Sequence, residues 1–202
     1  MNLVVSEIVG AFGQLVLFCL VPFVWWLCTA RKKGNFFSWI GLRKGVCKTS
    51  LIKTIIETLL VAAAYVGIMT LCINRLPEGV TTAGSQFAGK GVAAIPAVIA
   101  YAFVRTALSE EFLFRGFLLK RIASRFGFAA GNTIQALLFG LLHGIPFGLA
   151  TGNVLVAVIL TVLPGIVGWY EGYMNEKKFE GSILPGWVMH GVLNFTVSLL
   201  GL

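Results

Sequence analysis

The sequence predicts an all-α protein, a polytopic integral membrane bundle of about six transmembrane helices. Of its 202 residues, 57% are hydrophobic and only 12% are charged, whereas soluble domains average about 25% charged residues. The mean hydropathy is +0.89, and the apolar residues form segments long enough to cross a bilayer. These observations exclude a soluble enzyme, a disordered tail and a secreted disulfide scaffold.

Six segments approach the length of about 20 apolar residues that a spanning helix needs. They cover residues 8–29, 51–73, 92–119, 128–145, 147–171 and 182–202. We interpret the first as a membrane anchor rather than a signal peptide, because it lacks a basic n-region and basic residues follow it directly. The chain is therefore divided into an N-terminal part, residues 1–91, with spans one and two, and a four-span core, residues 92–202.

Lysine and arginine are distributed unevenly over the loops. Twelve fall in or beside the connections after spans one, three and five, and two, Arg75 and Lys90, fall on the other side. Because cytoplasmic loops carry the excess of Lys and Arg, the sequence predicts a multi-pass protein of the cell membrane with both termini extracytoplasmic. Residues 35–46 are expected to form a basic segment at the cytoplasmic interface. The net charge of +8 is thus assigned to topology and to anionic lipid at that face, and no nucleic-acid partner is expected.

The inventory of reactive side chains is small. All eight acidic residues are glutamates, and the histidines are His143 and His190. A reaction that needs a titrating imidazole therefore has two candidates. The four cysteines form no CxxC pair, so neither a disulfide framework nor a zinc knuckle is indicated.

Polar side chains occur inside three predicted spans, where ionisable residues are costly and mark function. They are Arg105, Glu110, Glu111 and Arg115 in span three, Gln135 and His143 in span four, and His190 and Asn194 in span six. Both histidines of the chain thus share the membrane with two adjacent glutamates.

Helical geometry separates those two glutamates. Glu111 and Arg115 are four residues apart on one helix face, so we expect them to form an ion pair. Glu110 points about 100° away, which leaves it without this partner and available as a base. The alternative is that Arg105, on the same helix, neutralises Glu110.

The other two spans repeat the four-residue spacing. Gln135, Phe139 and His143 form one stripe, in which Phe139 is expected to support the imidazole of His143. His190 and Asn194 present two hydrogen-bond donors from one face. From the helical rise per residue, we expect these groups to meet near mid-bilayer, in a cavity that opens toward the cytoplasm.

This set of groups fits peptide-bond hydrolysis without a covalent nucleophile, a metal or another cofactor. Glu110 would take a proton from a water molecule that His143 helps to orient, and His190 with Asn194 would stabilise the oxyanion. Two alternatives stay open. Zinc held by Glu110, His143 and His190 would make the protein a metalloprotease. A binding or proton-relay role would make it a noncatalytic transporter or immunity factor.

Three motifs, in this order, resemble those of the CAAX protease and bacteriocin-processing (CPBP) family, whose archetype is the Ras-converting CAAX endopeptidase. They are Glu110-Glu111-x-x-x-Arg115, Phe139-x-x-x-His143 and His190-x-x-x-Asn194, which match EExxxR, FxxxH and HxxxN over about residues 105–195. The resemblance implies an intramembrane glutamic endopeptidase. It implies catalytic roles for Glu110, His143, His190 and Asn194, and supporting roles for Glu111 and Arg115.

The resemblance also limits what is inferred about the substrate. The Ras-converting enzymes have eight spans and six are predicted here, so their prenyl-binding surface is not carried over. A short prokaryotic relative that processes peptides or membrane-associated proteins, or gives bacteriocin self-immunity, fits this size better. Small-residue spacings such as Gly140 and Gly144 are interpreted as helix packing within the bundle, and the oligomeric state stays open.

Overall fold

The described part of the chain folds into an all-helical bundle. The computed structural model of the protein describes residues 2–73 and 83–200. Its helices are α1, Leu3–Thr29; α2, Phe36–Ile40; α3, Leu51–Ile73; α4, Gly91–Phe126; α5, Phe128–Thr151; α6, Val154–Lys178; and α7, Leu184–Leu199. Short 3-10 turns at Arg31–Lys33 and Ala83–Phe87 precede α2 and α4.

Five helices, α1, α3, α4, α5 and α6, are long and apolar enough to cross a membrane, which confirms a polytopic helical bundle. The sixth predicted span, residues 182–202, corresponds to α7, which has 16 residues. At the α-helical rise, α7 is about 24 Å long, shorter than the hydrocarbon core of about 30 Å. The last two residues of that predicted span, 201 and 202, lie outside the described residues.

The predicted boundary between spans four and five is wrong. The prediction ends span four at residue 145, before Pro146, yet α5 continues through Pro146 to Thr151. Gly152 then makes the turn in the left-handed region at φ 62°, a conformation that glycine adopts without steric cost. Asn153 caps the first turn of α6 with its side-chain oxygen, as Asn commonly does.

Helix α4 is central to the bundle and carries two π-helical stretches. It packs against α1, α5 and α7 and continues past the predicted end of span three to Phe126. The stretches Ala100–Leu108 and Glu111–Leu119 flank Ser109 and Glu110. A π-turn bonds residue i to i+5 and frequently occurs at functional sites. The helix therefore departs from the 3.6-residue repeat around the two adjacent glutamates.

The helix connections gather at two ends of the bundle. At one, which we call the basic end, the connections after α1, α4 and α6 meet. The N–H of Ile183 donates to the Gly41 carbonyl at 2.9 Å, and the N–H of Lys48 donates to the Lys178 carbonyl at 2.8 Å. The other, which we call the opposite end, holds the start of α1, residues 83–90, the α5–α6 turn and the end of α7.

The predicted interfacial segment, residues 35–46, is anchored to the bundle at the basic end. Phe36 is buried and Ile40 is completely buried, and both belong to an apolar cluster with Phe112 and Phe117 of α4. The basic side chains of the segment remain exposed. The segment therefore adds apolar side chains to the core while its charges stay outside.

Helices α5 and α6 make the most extensive helix contact of the bundle. A Cβ at Gly140 would collide with the Thr161 carbonyl oxygen, and one at Gly144 would collide with the Ala157 carbonyl oxygen. Small residues allow helix backbones to approach closely. The glycine spacing thus serves packing within the bundle, as the sequence indicates.

Candidate active site

Three helices bring the sequence-predicted catalytic residues together. α4 supplies Glu110, α5 supplies His143, and α7 supplies His190 and Asn194. The Nε2 atom of His190 lies 3.4 Å from Glu110 Oε2. One cavity is lined by Glu110, His143 and Asn194, and an adjoining smaller cavity is lined by both histidines and Asn194. The four residues converge as expected, and their catalytic roles stay a prediction.

Glu110 is a buried carboxylate, 7% exposed, that faces the larger cavity. Arg105 does not neutralise it, because the Arg105 guanidinium pairs with Glu7 of α1 at 3.0 and 3.2 Å. Among the described residues, Glu110 forms no ion pair with an arginine. The Glu110 carboxylate instead lies next to the imidazole of His190.

The adjacent residue, Glu111, belongs to an ion network that we define as Glu111, Arg115, Glu171 and Asn175. The predicted Glu111–Arg115 pair is confirmed, with Arg115 Nε 3.3 Å from Glu111 Oε1. The guanidinium also pairs with Glu171 of α6, and Asn175 donates a 3.2 Å hydrogen bond to Glu111. All four side chains are completely buried. Buried charges are tolerated when they are paired, and each charge of this network has a partner of opposite sign.

Sequence reasoning misses two members of this network. Glu171 lies inside predicted span five, so the rule that ionisable residues within spans are functional could have identified it. Asn175 lies beyond the predicted end of that span, whereas α6 continues to Lys178. The Asn175 side chain also accepts a 2.9 Å hydrogen bond from the Gly186 N–H. It therefore connects the network to the start of α7.

Phe139 lies between the ion network and the two histidines. Its ring centroid is 4.6 Å from that of His143 and 5.6 Å from that of His190. The guanidinium carbon of Arg115 lies 4.1 Å from the same centroid, within the range of a cation–π contact. A Cβ at Gly168 would lie 2.8 Å from Arg115 Nη2 and 2.9 Å from the Phe139 ring. Phe139 thus contacts His143 and also His190 and Arg115, and its supporting role stays a prediction.

The hydrogen bond of His143 determines its tautomer. Its Nδ1 atom lies 2.8 Å from the Phe139 carbonyl oxygen, which only accepts, so Nδ1 carries the proton. In the neutral ring Nε2 is then an acceptor. Gln135, the third member of the predicted stripe, does not join the site. It is completely buried and donates a 2.9 Å hydrogen bond to the Gly168 carbonyl of α6.

Thr106 holds the side-chain amide of Asn194. The Nδ2 atom of Asn194 donates to Thr106 Oγ1 at 2.8 Å, and the hydroxyl donates to the Ala102 carbonyl at 3.0 Å. One hydrogen of Nδ2 is left for a ligand, since a primary amide carries two. Sequence reasoning misses Thr106, because a helical threonine usually bonds its own backbone and so gives no separate signal.

The larger cavity has a volume of about 280 Å³ and extends from Glu110 toward the opposite end. Ala83, Gly84, Val197 and Ser198 line it there. The adjoining cavity, of about 20 Å³, is large enough for one water molecule. The expectation that the site opens toward the end that carries the basic loops is wrong, because the ion network fills the bundle on that side of Glu110.

The groups that lie close enough to share a metal ion differ from those of the zinc alternative. Among the described residues, Glu111, Glu171 and His190 offer ligand atoms within 4.8 Å of one another. The zinc alternative instead requires Glu110 and His143, together with His190. Arg115 already contacts both carboxylates of the observed group, so the arrangement fits an ion-pair network better than a metal centre.

A family model matches the part of the chain that carries the site. It is described as type II CAAX prenyl endopeptidase, Rce1-like, and it matches residues 92–196. The match begins at α4 and ends within α7, so it includes all three motif-bearing helices. No curated protein and no solved structure matches the chain.

Replacing Arg115 by methionine should destabilise the bundle strongly. The change leaves Glu111 and Glu171 as buried carboxylates without their common cation. Removing one partner of a buried ion pair costs about 3–5 kcal/mol. Thermal unfolding of the purified protein in detergent measures the effect as a lowered Tm.

The matched control for this change is Lys48→Met at the basic end. Lys48 pairs with Glu180 at 2.6 Å, but its side chain is 60% exposed. The Lys48 ammonium holds the pKa of the Glu180 carboxyl below its usual range, yet exposed pairs contribute little to stability. Equal Tm values for Arg115→Met and Lys48→Met would contradict a stabilising role for the network.

Proposed function

This chain belongs to the Rce1-like family of type II CAAX prenyl endopeptidases, and we propose that it is an active member that hydrolyses peptide bonds within the membrane. The observation that carries the proposal is the convergence of Glu110, His143, His190 and Asn194 on two adjoining cavities. Its helices can cross a bilayer several times, so the scissile bond would be cleaved between spanning helices.

Glu110 is the proposed general base. Its Oε2 atom is buried and has no hydrogen-bond partner among the described residues. A buried acceptor without a partner is costly, and a water molecule in the cavity would satisfy it. His143 offers Nε2 as a second acceptor, because Nδ1 donates to the Phe139 carbonyl. Two acceptors on one water molecule orient it and withdraw its proton.

His190 and Asn194 are the proposed oxyanion donors. They lie one helical turn apart on α7, and the Asn194 amide is held by Thr106. Glu111 Oε1 lies 3.5 Å from His190 Nδ1, so the carboxylate faces the imidazole from the side of the ion network. Donors that are fixed before the reaction stabilise developing charge without reorganising. The network would thereby support the site without touching the substrate.

The proposed reaction needs no covalent enzyme intermediate. Glu110 accepts a proton from water while the water oxygen attacks the peptide carbonyl carbon, and negative charge collects on the carbonyl oxygen beside His190 and Asn194. Collapse of the tetrahedral intermediate breaks the C–N bond, and Glu110 returns the proton to the leaving amine. The products are a peptide with a new carboxylate and a peptide with a new amine.

The proposed setting is a cell membrane, with the basic end cytoplasmic and both termini extracytoplasmic. Exposed residues at the basic end, such as Arg31, Lys32 and Lys33, would contact anionic lipid. The enzyme would process peptides or membrane-associated proteins, or inactivate a bacteriocin in self-immunity. A prenyl group on the substrate is not part of this proposal.

Replacing Glu110 by glutamine should lower the rate of peptide cleavage by about 10²–10⁴-fold, the usual contribution of a general base. The two side chains have nearly the same shape, and the ion network is untouched, so the variant should insert and fold normally. A peptide-library assay on the purified protein measures the loss. The control is Glu57→Gln, which removes a carboxylate paired with Lys178 at the basic end and should keep full activity.

Normal turnover by Glu110→Gln would exclude the proposed mechanism. In cells, a protein carrying both Glu110→Gln and His143→Ala should lose its biological effect at equal expression. If this double variant kept the effect, the buried polar groups would belong to a noncatalytic transporter or immunity factor instead.

Replacing Thr106 by valine should lower kcat more than it changes KM. The change removes the hydroxyl that holds the Asn194 amide but keeps the shape of the side chain. The loss should be smaller than that of Asn194→Ala, for which removal of an oxyanion donor predicts about 10²–10³-fold. Steady-state kinetics on a cleaved library peptide separate kcat from KM. A rise in KM with an unchanged kcat would instead indicate that Thr106 acts in substrate binding.

Treatment with a divalent-metal chelator should leave the cleavage rate unchanged, since Glu110 and His143 are proposed to activate water directly. Elemental analysis of the same sample measures its metal content. Activity that is lost with the chelator and restored by zinc, together with stoichiometric zinc, would support the metalloprotease alternative.

A further inference from the structure

The proposed catalytic site is closed toward the basic end. The ion network is completely buried, and so are Ile40 of α2 and Ile183 before α7. These two residues pack with Phe112 of α4 in one apolar cluster. Lys120 then joins α4 to the loop before α7 by a 2.7 Å hydrogen bond to the Gly181 carbonyl. A peptide that arrived from the basic end would have to displace this packed layer.

In the other direction, the described residues leave the site open. On α4 the residues that line the larger cavity run from Glu110 back to Tyr101, and on α7 they run from Asn194 on to Ser198. Both directions lead to the opposite end. Ala83, in the connection that precedes α4, lines the outer part of the cavity and is exposed. The cavity therefore leads from the proposed base to the surface of the opposite end.

The charge distribution relates these two ends to the two sides of a membrane. Twelve Lys and Arg residues lie at or beside the basic end. Lys90 is the one basic residue at the opposite end among the described residues, and Arg75 lies outside them. An excess of Lys and Arg in short loops marks the cytoplasmic side. The closed side of the site is thus assigned to the cytoplasm.

We propose that the catalytic cavity opens on the extracytoplasmic side of the membrane, and that its substrates are peptide segments presented on that side. Exported peptides and extracytoplasmic segments of membrane proteins meet this condition. The nature of the substrate rests on the proposed function, whereas the side on which the cavity opens does not depend on catalysis.

The cavity wall indicates which side chains such a segment carries. Outside the site residues, the wall is formed largely by apolar side chains, among them Met69, Phe147, Leu160 and Val197. The cation on this wall, Arg105, is already paired with Glu7. Apolar substrate side chains next to the scissile bond would gain from burial here, and acidic ones would compete with an existing ion pair.

One-sided thiol labelling tests the direction of access. The natural Cys47 is partly exposed at the basic end and serves as the internal marker after the three other cysteines are replaced by alanine. Val197→Cys places a thiol on the cavity wall, and Ser198→Cys is a nearly isosteric second variant on the same wall. Val192→Cys is the matched control, because Val192 lies on α7 outside that cavity and is 46% exposed.

A membrane-impermeant maleimide is added first to intact cells and then to permeabilised cells. We expect the cavity thiol of Val197→Cys or Ser198→Cys to react in intact cells, and Cys47 to react only after permeabilisation. The lipid-facing thiol of Val192→Cys should react in neither. Cavity thiols that react only after permeabilisation, or not at all, would overturn the proposal. Reaction of Cys47 in intact cells would overturn the orientation, and the proposal with it.

A cleavage assay separates this proposal from the proposed function. A soluble apolar peptide that the purified protein cleaves should also be cleaved when it is added outside intact cells, and the Glu110→Gln protein should cleave it in neither case. Cleavage by purified protein but not by intact cells would overturn access from outside and leave the proposed function standing. If the cavity thiols are labelled in intact cells but the purified protein cleaves no peptide, access from outside stands and the proposed function is overturned.

Discussion

The structure depends on one buried cation, Arg115, held between carboxylates from two helices. A guanidinium at membrane depth is tolerated when it is paired within the bundle, so Glu111 of α4 and Glu171 of α6 must face it. Asn175 extends the same network to Gly186 at the start of α7. The network therefore positions three helices next to the place where the motif residues meet.

This constraint gives two adjacent glutamates different surroundings. Glu111 is neutralised inside the network, whereas Glu110 faces the cavity beside His190. Phe139 contacts both parts, because the Arg115 guanidinium lies over its ring while His143 packs against the ring at a tilt and His190 edge-on. Since the network fills the bundle on one side of Glu110, the cavity extends to the other side. The interaction that holds the helices together thus also determines how a peptide can reach the proposed base.

Much of the fold was within reach of the sequence, because a bilayer requires long apolar segments and those segments are visible one by one. The turn after α5 was misplaced because Pro146 is accommodated within the helix, while Gly152 makes the turn. The π-helical stretches of α4 and the complete burial of Ile40 were not predictable. The burial of Ile40 depends on side chains that lie far from it in the sequence, among them Phe112 and Ile183.

For the candidate site, the sequence by itself indicated which polar residues lie together, because the chain has two histidines and places both within apolar segments that also contain its polar motifs. Four-residue spacing further determined which residues share a helix face. Only the tertiary structure decided the partners across helices and the direction of the cavity. Those partners are Arg105 with Glu7, Arg115 with Glu171, and Thr106 with Asn194. The physical reason is that a repeat within one helix specifies a face, whereas the packing of helices that are distant in sequence specifies what this face meets.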